Sequence, residues 1–378
     1  MTIISTARKK IRVVLIIRIK NIITAALIAA LFINACGSAF AEAVPETSAV
    51  SAVVVNGAGE AVFEKNADAR MLIASTTKLM TALITAERAA LDETVQIKKE
   101  YCDIEGSSMY LKPGESRTVR ELLLGMMLVS GNDAAQALAC HVAGSAESFA
   151  ALMNLRAREL KMDATHFENP HGLDGERHYS TARDMAKLMC ACMENERLRD
   201  ILGTKSAVVG EQELVNHNRL LWKYGGCIAG KTGYTMAAGR CLVTCAERDG
   251  TRFVCVTLSA PDDWNDQMKL YDWAFSNFEM KTVTEGLRFQ VPVVSGSRSY
   301  VEVVPEKELK VFVKRSENVE LSAELPKFVF APVNLGETAG QLCVIIDSKI
   351  ADGCSLIYAQ SAHLAYKAAS NGQQVGEE

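Results

Sequence analysis

The spacing of apolar residues changes near residue 282, and this change constrains the fold more than any other feature of the chain. Before it, apolar residues recur at helical spacing in 75–90 and 181–193, and apolar strand-like runs occupy 241–246 and 253–259. After it, the chain holds short alternating runs separated by turn residues, at 288–294, 299–304, 309–314 and 340–346. Helical spacing indicates helices, and alternation indicates strands. The sequence therefore predicts an α/β (α+β) domain followed by a small all-β domain.

The remaining elements follow from the same patterns. A hairpin is predicted in 51–64, because the turn Asn56-Gly57 separates two apolar runs. Further helices are predicted from helical spacing in 119–142, 148–160 and 266–278. A chain of 378 residues is long enough for two domains. We predict a leader over 1–41, domains over 46–280 and 284–360, and a flexible tail over 361–378.

The N-terminus has the layout of a secretory signal. A basic segment comes first, the apolar run 22–33 follows, and Ala39-Phe40-Ala41 has the small-x-small pattern of a signal-peptidase site. The basic residues are Arg8, Lys9, Lys10, Arg12, Arg18 and Lys20. We predict cleavage after Ala41 and an exported, extracytoplasmic protein. An uncleaved anchor, which would hold the protein on the outer face of the cytoplasmic membrane, stays open as an alternative, although spanning a bilayer takes ~20 apolar residues.

Charge and cysteine usage exclude several classes of protein. The net charge is -4, and loss of the basic leader makes the chain more acidic, so we expect no nucleic-acid partner. Most of the cysteines lie in apolar runs, where an unpaired thiol behaves as a small hydrophobe, so we expect mostly reduced thiols. Neither HExxH nor two matched cysteine pairs occur. We therefore predict no metal and no cofactor.

Three short motifs carry the candidate chemistry. In chain order they are Ser75-Thr76-Thr77-Lys78, Ser130-Gly131-Asn132 and Lys231-Thr232-Gly233. Taken singly, they can be read as a helix cap, a turn between helices and a cation on an edge strand. All three in this order are rare by chance at ordinary residue usage, so their joint presence favours a functional interpretation over the structural one.

Ser75 and Lys78 predict a nucleophile with its base. A serine hydroxyl is a poor nucleophile until a neighbouring base takes its proton. Residues three apart on a helix lie on one face, so Lys78 can reach the Ser75 hydroxyl. The lysine must be neutral part of the time to act as a base. Burial near a second cation would favour the neutral form, and Lys231 is the candidate for that cation.

The other two motifs predict groups that handle the substrate. Ser130 can pass a proton between Lys78 and a leaving nitrogen, and the Asn132 amide can both donate to and accept from a peptide group. Lys231 and the Thr232 hydroxyl can bind a terminal carboxylate. Gly233 leaves room for an extended substrate along the strand edge. The backbone N–H groups of Ser75 and Tyr234 are the predicted oxyanion donors.

Two further features leave alternatives open. The segment Asn169-Pro170-His171-Gly172-Leu173 is predicted to form an ordered loop near the cleft, in which His171 is either catalytic or hydrogen-bonded locally. Arg240 either adds positive potential to the cleft or is a surface charge.

These motifs and their contexts resemble the low-molecular-mass penicillin-binding proteins that are serine-type D-alanyl-D-alanine carboxypeptidases. The resemblance runs from about Ser51 through the β-rich region. It implies a β-lactamase/transpeptidase-like catalytic domain and removal of the terminal D-alanine from peptidoglycan stem pentapeptides through an acyl-enzyme on Ser75. It also implies inhibition by β-lactam antibiotics. One departure concerns the amphipathic membrane-binding helix with which such proteins commonly end: residues 359–378 are weakly apolar and acidic at the tip, so we expect no anchoring by this segment.

Two other functions are compatible with parts of this pattern. A class A β-lactamase shares the three motifs, but this chain has no Glu-x-x-Leu-Asn element after Ser130, and Glu168 lies in a different context. A non-catalytic module that binds peptidoglycan or β-lactams is disfavoured by the intact set of motif residues. The carboxypeptidase is therefore the function that the sequence predicts.

Overall fold

The computed structural model describes residues 44–365 of the chain. The predicted leader, its cleavage site after Ala41 and most of the predicted tail lie outside the described residues. Within the described part, no helix has the length and apolar character that a membrane crossing requires.

The first part of the chain is built on a five-stranded antiparallel sheet. Its strand order is β2-β1-β9-β8-β7. The strands are β1 (Ser51–Asn56), β2 (Ala61–Lys65), β7 (Cys227–Thr235), β8 (Gly239–Arg248) and β9 (Thr251–Leu258). Two small hairpins lie apart from this sheet, β3 (Thr94–Gln96) with β4 (Ser116–Thr118) and β5 (Ser206–Val209) with β6 (Gln212–Val215). Strand β7 is at the edge, so one side of its backbone is open to a cleft.

Nine α-helices of the described residues accompany these strands. They are α1 (Lys78–Arg88), α2 (Lys99–Cys102), α3 (Val119–Leu128), α4 (Asn132–Ala143), α5 (Ala146–Glu159), α6 (Ala182–Glu194), α7 (Glu196–Gly203), α8 (Leu220–Lys223) and α9 (Asp263–Asn277). A 3₁₀ turn, Ala74–Thr77, leads directly into α1.

Alternation along the strands divides the core into two layers. In β1, Val53 and Val55 pack with the helices α1, α3, α4 and α6, whereas Ala52 and Val54 pack with α9. Successive side chains of a strand point to opposite faces, so the central strands are buried on both sides. The result is a sheet between two layers of helices. This arrangement holds β7 rigidly beside the 3₁₀ turn at Ser75.

The rest of the described chain is all β. Its strands are β10 (Phe278–Thr282), β11 (Phe289–Val294), β12 (Tyr300–Pro305), β13 (Lys310–Lys314), β14 (Val319–Glu324), β15 (Val329–Phe330), β16 (Thr338–Ile346) and β17 (Lys349–Tyr358). Six of them form a sheet in the order β14-β16-β17-β12-β11-β15, and β10 pairs with β13. Phe312 of β13 packs against Phe253 of β9, with ring centres 5.9 Å apart, and so joins the two parts.

The predicted fold class is confirmed, as are the predicted hairpin at 51–64 and the β-rich C-terminal part. The helices predicted around 119–142, 148–160, 181–193 and 266–278 are also present, with the first divided at 129–131. One expectation was wrong in detail, since Ser75 lies on the 3₁₀ turn and the regular helix begins at Lys78. The domain boundaries at 46–280 and 284–360 stay a prediction.

Candidate active site

The 3₁₀ turn at Ser75 presents the hydroxyl to a cleft. Ala74 has φ +46°, a left-handed conformation that is uncommon for a residue with a side chain. The Thr76 hydroxyl donates to the Ile73 carbonyl at 2.6 Å and holds the turn. Ser75 is half-buried between these neighbours, and its side chain lines the cleft. The strained turn thus fixes the direction of the candidate nucleophile.

Lys78 lies beneath Ser75 and is fully buried. Its Nζ is 2.9 Å from Ser75 Oγ, 2.6 Å from Asn132 Oδ1 and 2.6 Å from the His171 carbonyl oxygen. A neutral amine has two N–H groups and one lone pair. The two carbonyl-type oxygens can take the two N–H groups, which leaves the lone pair for the Ser75 hydroxyl proton. The site therefore suits Lys78 as a base.

Burial favours the neutral form of this amine. Removal from water and the nearby Lys231 hold the pKa of Lys78 well below the ordinary range of a lysine, although Asp133 opposes the shift. Burial lowers the pKa of Lys231 to about 7. Desolvation disfavours the charged form of an amine, and a second cation adds to the effect. Both amines therefore lose their protons more readily than an ordinary lysine does.

Ser130 lies in the turn between α3 and α4, and Asn132 is the first residue of α4. Ser130 has φ +63°, which lifts its hydroxyl towards Lys231 Nζ at 3.0 Å. Asn132 accepts from Lys78 and donates to the Glu105 carbonyl, so its amide is held at both ends. Neighbouring Asp133 accepts the backbone N–H groups of Met109 and Leu111 and the Ser108 hydroxyl. This carboxylate ties the 108–111 segment to the start of α4.

Strand β7 forms the opposite wall of the cleft. Lys231 is fully buried, Thr232 and Gly233 line the cleft, and the Tyr234 side chain is 66% exposed at its rim. A Cβ on Gly233 would lie 3.0 Å from the backbone of Ile73, Ser75 and Thr76. The missing side chain thus lets β7 approach the nucleophile's turn. This is a different physical reason for glycine from the substrate clearance predicted by the sequence.

The loop 169–173 completes the floor of the site. Its Pro170 carbonyl accepts from the Thr81 hydroxyl at 2.6 Å, and its His171 carbonyl accepts from Lys78. Gly172 has φ +92°, and a Cβ there would collide with the Ala74 backbone. The sequence left the role of His171 open. In the structure its carbonyl oxygen contacts Lys78, while burial and Lys78 lower the pKa of its ring to about 3.

The cleft has a volume of about 830 Å³, within the range of pockets that hold small ligands. Its lining includes residues that no motif marked: Ser107, Val129, Glu213, Val215, Asn216, His217, Arg219, Trp222, Asp263 and Trp264. Arg240 lines it too, and its guanidinium is held 2.9 Å from Asp263 Oδ1. These residues come from separate segments, so spacing along the chain does not reveal them.

The structure thus brings the predicted site residues together. Two hydrogen-bonded groups meet at the cleft, Ser75 with Lys78 and Asn132, and Ser130 with Lys231. The Ser130 hydroxyl contacts Lys231, whereas the sequence predicted a proton path from Lys78. The ten cysteines of the described residues are free thiols, and those same residues contain no cluster of potential metal ligands.

Comparison with known families identifies the class of protein. The family model for D-alanyl-D-alanine carboxypeptidase matches residues 38–262, and the model for the C-terminal domain of penicillin-binding protein 5 matches residues 278–363. The chain therefore belongs to the D-alanyl-D-alanine carboxypeptidase family, which confirms the resemblance carried by the three motifs.

Individual relatives span most of the chain. D-alanyl-D-alanine carboxypeptidase DacF of Bacillus subtilis is 32% identical over 321 residues, which is 80% of this chain and 82% of the relative. DacA of Escherichia coli is 30% identical over 345 residues, 84% of each chain. Among solved structures, penicillin-binding protein 5 of Haemophilus influenzae is similar with a TM-score of 0.65 and 27% identity, covering 84% of this chain and 98% of that one.

The lowered pKa of Lys231 predicts how stability depends on pH. The pKa of Lys231 is about 7 in the folded protein and 10.5 for an ordinary lysine, so the unfolded chain binds more protons between these values. The free energy of unfolding should therefore rise with pH over this window, with Lys78 acting in the same direction. Chemical denaturation of Lys231→Met at a series of pH values should show a smaller rise than the native chain.

The exposed Lys223 on α8 provides the matched control. Lys223→Met should keep the full pH dependence of the native chain. Equal slopes for the native chain and Lys231→Met would contradict the assignment of Lys231 as a lysine that loses its proton near neutral pH.

Proposed function

We propose that this protein is a serine-type D-alanyl-D-alanine carboxypeptidase that removes the terminal D-alanine from peptidoglycan stem pentapeptides. The observation that carries the proposal is the 2.9 Å contact between the buried Lys78 amine and the Ser75 hydroxyl at the floor of an open cleft. Membership of the carboxypeptidase family supports it. The proposal assigns catalysis to Ser75, Lys78 and Ser130, and substrate binding to Asn132, Lys231, Thr232, Gly233 and Tyr234.

The first half of the reaction is acylation of Ser75. Neutral Lys78 takes the hydroxyl proton while Ser75 Oγ bonds to the carbonyl carbon of the penultimate D-alanine. The bond from that carbon to the nitrogen of the terminal D-alanine then breaks. A positioned base of this kind contributes ~10²–10⁴ in rate.

The leaving nitrogen needs a proton as this bond breaks. Ser130 supplies it, and Lys231, 3.0 Å from the Ser130 hydroxyl, replaces it. The proton gained by Lys78 and the one lost by Lys231 balance, and exchange with water in the open cleft resets both amines. The pKa of Lys231, lowered by burial to about 7, suits an amine that both gives and regains a proton at neutral pH.

The developing oxyanion is assigned to two backbone N–H groups, those of Ser75 and Tyr234. A Cβ on Gly233 would lie 3.0 Å from the Ser75 backbone nitrogen, so the strand that carries Tyr234 runs close to the Ser75 turn, and this proximity supports the assignment. Loss of one such donor costs ~10²–10³ in rate in other enzymes. Rigid donors of this kind need no rearrangement during the reaction.

Recognition of the terminal D-alanine requires groups that bind a carboxylate. Lys231 and the Thr232 hydroxyl were predicted for this role, and the structure adds Arg240 on β8. The Arg240 guanidinium lies at the cleft with Asp263 fixing its direction at 2.9 Å. A guanidinium stays protonated at neutral pH, whereas Lys231 is half protonated near pH 7, so the N–H groups of Arg240 that Asp263 does not occupy are donors to the carboxylate at any working pH.

Hydrolysis of the acyl-enzyme completes the cycle. A water molecule that enters from the cleft gives a proton to neutral Lys78 and attacks the ester carbonyl. The bond from the carbonyl carbon to Ser75 Oγ breaks, and Ser75 Oγ takes that proton back from Lys78, which returns to its neutral form. The strained amide of a β-lactam can acylate the same serine, so β-lactam antibiotics are the expected inhibitors. The proposed setting is outside the cytoplasm, at the cell wall or membrane, as the leader predicts.

The structure gives little support to either of the two alternative functions. The Glu168 carboxylate, the candidate for a lactamase-type base, accepts the backbone N–H of Arg177 and so holds a loop together. A module that only binds peptidoglycan would have no need of a buried amine at the Ser75 hydroxyl. The fate of the acyl-enzyme distinguishes the lactamase and the non-catalytic module from the proposed carboxypeptidase.

Benzylpenicillin tests the nucleophile directly. Intact-mass spectrometry should show one adduct, and peptide mapping should place it on Ser75. The adduct should be absent from Ser75→Ala and retained by Ser107→Ala, because Ser107 is an exposed serine that lines the same cleft. The native protein should also release D-alanine from a stem peptide. Rapid penicillin turnover without a lasting adduct would indicate a lactamase, and binding without D-alanine release would indicate the non-catalytic module.

Substitution of Gly233 tests the oxyanion assignment. Gly233→Ala places a Cβ against backbone atoms, which cannot rotate away, and should slow β-lactam acylation by roughly 10²-fold, the size expected for a lost donor. Gly225→Ala is the matched control because a Cβ there meets nothing within 4 Å. Stopped-flow acylation measures both. A Gly233→Ala protein that is acylated at the native rate would contradict the assignment.

A further inference from the structure

The hairpin of β5 and β6 contributes one wall of the cleft through its second strand. Glu213 and Val215 both line the cleft, while Leu214 between them is buried in the core. Alternation along a strand therefore points a carboxylate and an apolar side chain to the same side. Val215 is 49% exposed, so its apolar surface is available to a ligand.

This wall is attached to the catalytic motifs on both sides. The His217 backbone N–H donates to the Leu128 carbonyl at 3.0 Å, next to the turn that carries Ser130. The Asn218 amide packs against Gly230, the residue before Lys231. The segment that begins with Glu213 thus runs between the Ser130 turn and β7, alongside the place where the substrate must lie.

Glu213 differs from the other carboxylate of the cleft in having no partner. Asp263 is neutralised by Arg240, with their atoms 2.9 Å apart. Among residues 44–365, by contrast, Glu213 forms no ion pair and no hydrogen bond through its side chain. A carboxylate that no internal contact uses is available to a cation from outside.

We infer that Glu213 and Val215 form the binding site for the side chain of the substrate residue that precedes D-alanyl-D-alanine. The site selects an alkyl chain that ends in an ammonium group, with its methylene groups against Val215 and its charge at the Glu213 carboxylate. This inference rests on the proposed function, because it assigns a specificity determinant to the same cleft.

The dimensions of the strand fit such a side chain. Residues two apart on a strand are separated by ~6.6 Å. A lysine-like side chain of four methylene groups is about as long, so it can contact Val215 and reach the carboxylate two residues away. Long amines commonly lay their methylene groups on an apolar surface and hold the charge in water. A side chain without a terminal charge would gain only the apolar contact.

The test uses two peptides that differ only at the side-chain amine, Nα-acetyl-L-Lys-D-Ala-D-Ala and its Nε-acetylated form. The native protein should show a kcat/KM two- to five-fold higher for the free amine, as expected for an exposed ion pair at ~1.4 kcal/mol per tenfold. Glu213→Gln should remove this preference. Salt should also weaken it in the native protein, because the pair is open to solvent.

Glu211→Gln is the matched control. Glu211 is an exposed carboxylate in the turn of the same hairpin, outside the cleft lining, so its loss should leave the preference intact. A Glu213 with a merely structural role would lower the rate on both peptides by the same factor, and that result would overturn the inference. Equal use of both peptides by the native protein would overturn it too, while the proposed function would stand. Release of D-alanine from neither peptide would overturn the proposed function itself, and this inference with it.

Discussion

The site depends on one buried amine. Lys78 Nζ has three oxygen neighbours within 3 Å, those of Ser75, Asn132 and the His171 carbonyl, and each comes from a different segment. A charged lysine in that position carries a large desolvation cost, and this cost, together with the nearby Lys231, favours the neutral form that can act as a base. The surrounding elements therefore have two functions, which are to bury the amine beneath Ser75 and to hold its acceptors in place.

Close contacts between backbone segments bury the amine and hold its acceptors in place. Gly233 lets β7 lie against the Ser75 turn, and Gly172 lets the 169–173 loop lie against Ala74. Asp133 fixes the start of α4 by accepting from the 108–111 segment, which keeps Asn132 at the amine. Positive backbone angles at Ala74 and Ser130 store strain at the two hydroxyl-bearing turns. The rigid sheet behind them supports that strain, since its central strands are buried on both faces.

The motif residues could be predicted from the sequence because their chemistry depends on local spacing. The strongly periodic helices and strands could be predicted for the same reason. Sequence reasoning missed β17, where Asp352 and Gly353 interrupt the alternation, and Gly353 approaches the Leu342 carbonyl too closely for any side chain. It also missed the 3₁₀ turn at Ser75, since helical spacing does not distinguish the first turn from the rest. Glu213 and Trp264 reach the cleft, and the His171 carbonyl reaches Lys78, through tertiary contacts that no spacing along the chain encodes.

The pH dependence of Ser75 acylation by a β-lactam tests the central claim most directly. If Lys78 is the base and its pKa is held well below the 10.5 of an ordinary lysine, the second-order rate should rise with pH as Lys78 loses its proton. The rise should end, and the rate should then fall, well before pH ~10, because Lys231, which supplies the leaving-group proton, is itself deprotonated above about pH 7. The apparent pKa values belong to Lys78 and Lys231 as a coupled pair. A rate that keeps rising about tenfold per pH unit up to pH ~10 would show an ordinary lysine at this position and contradict the account.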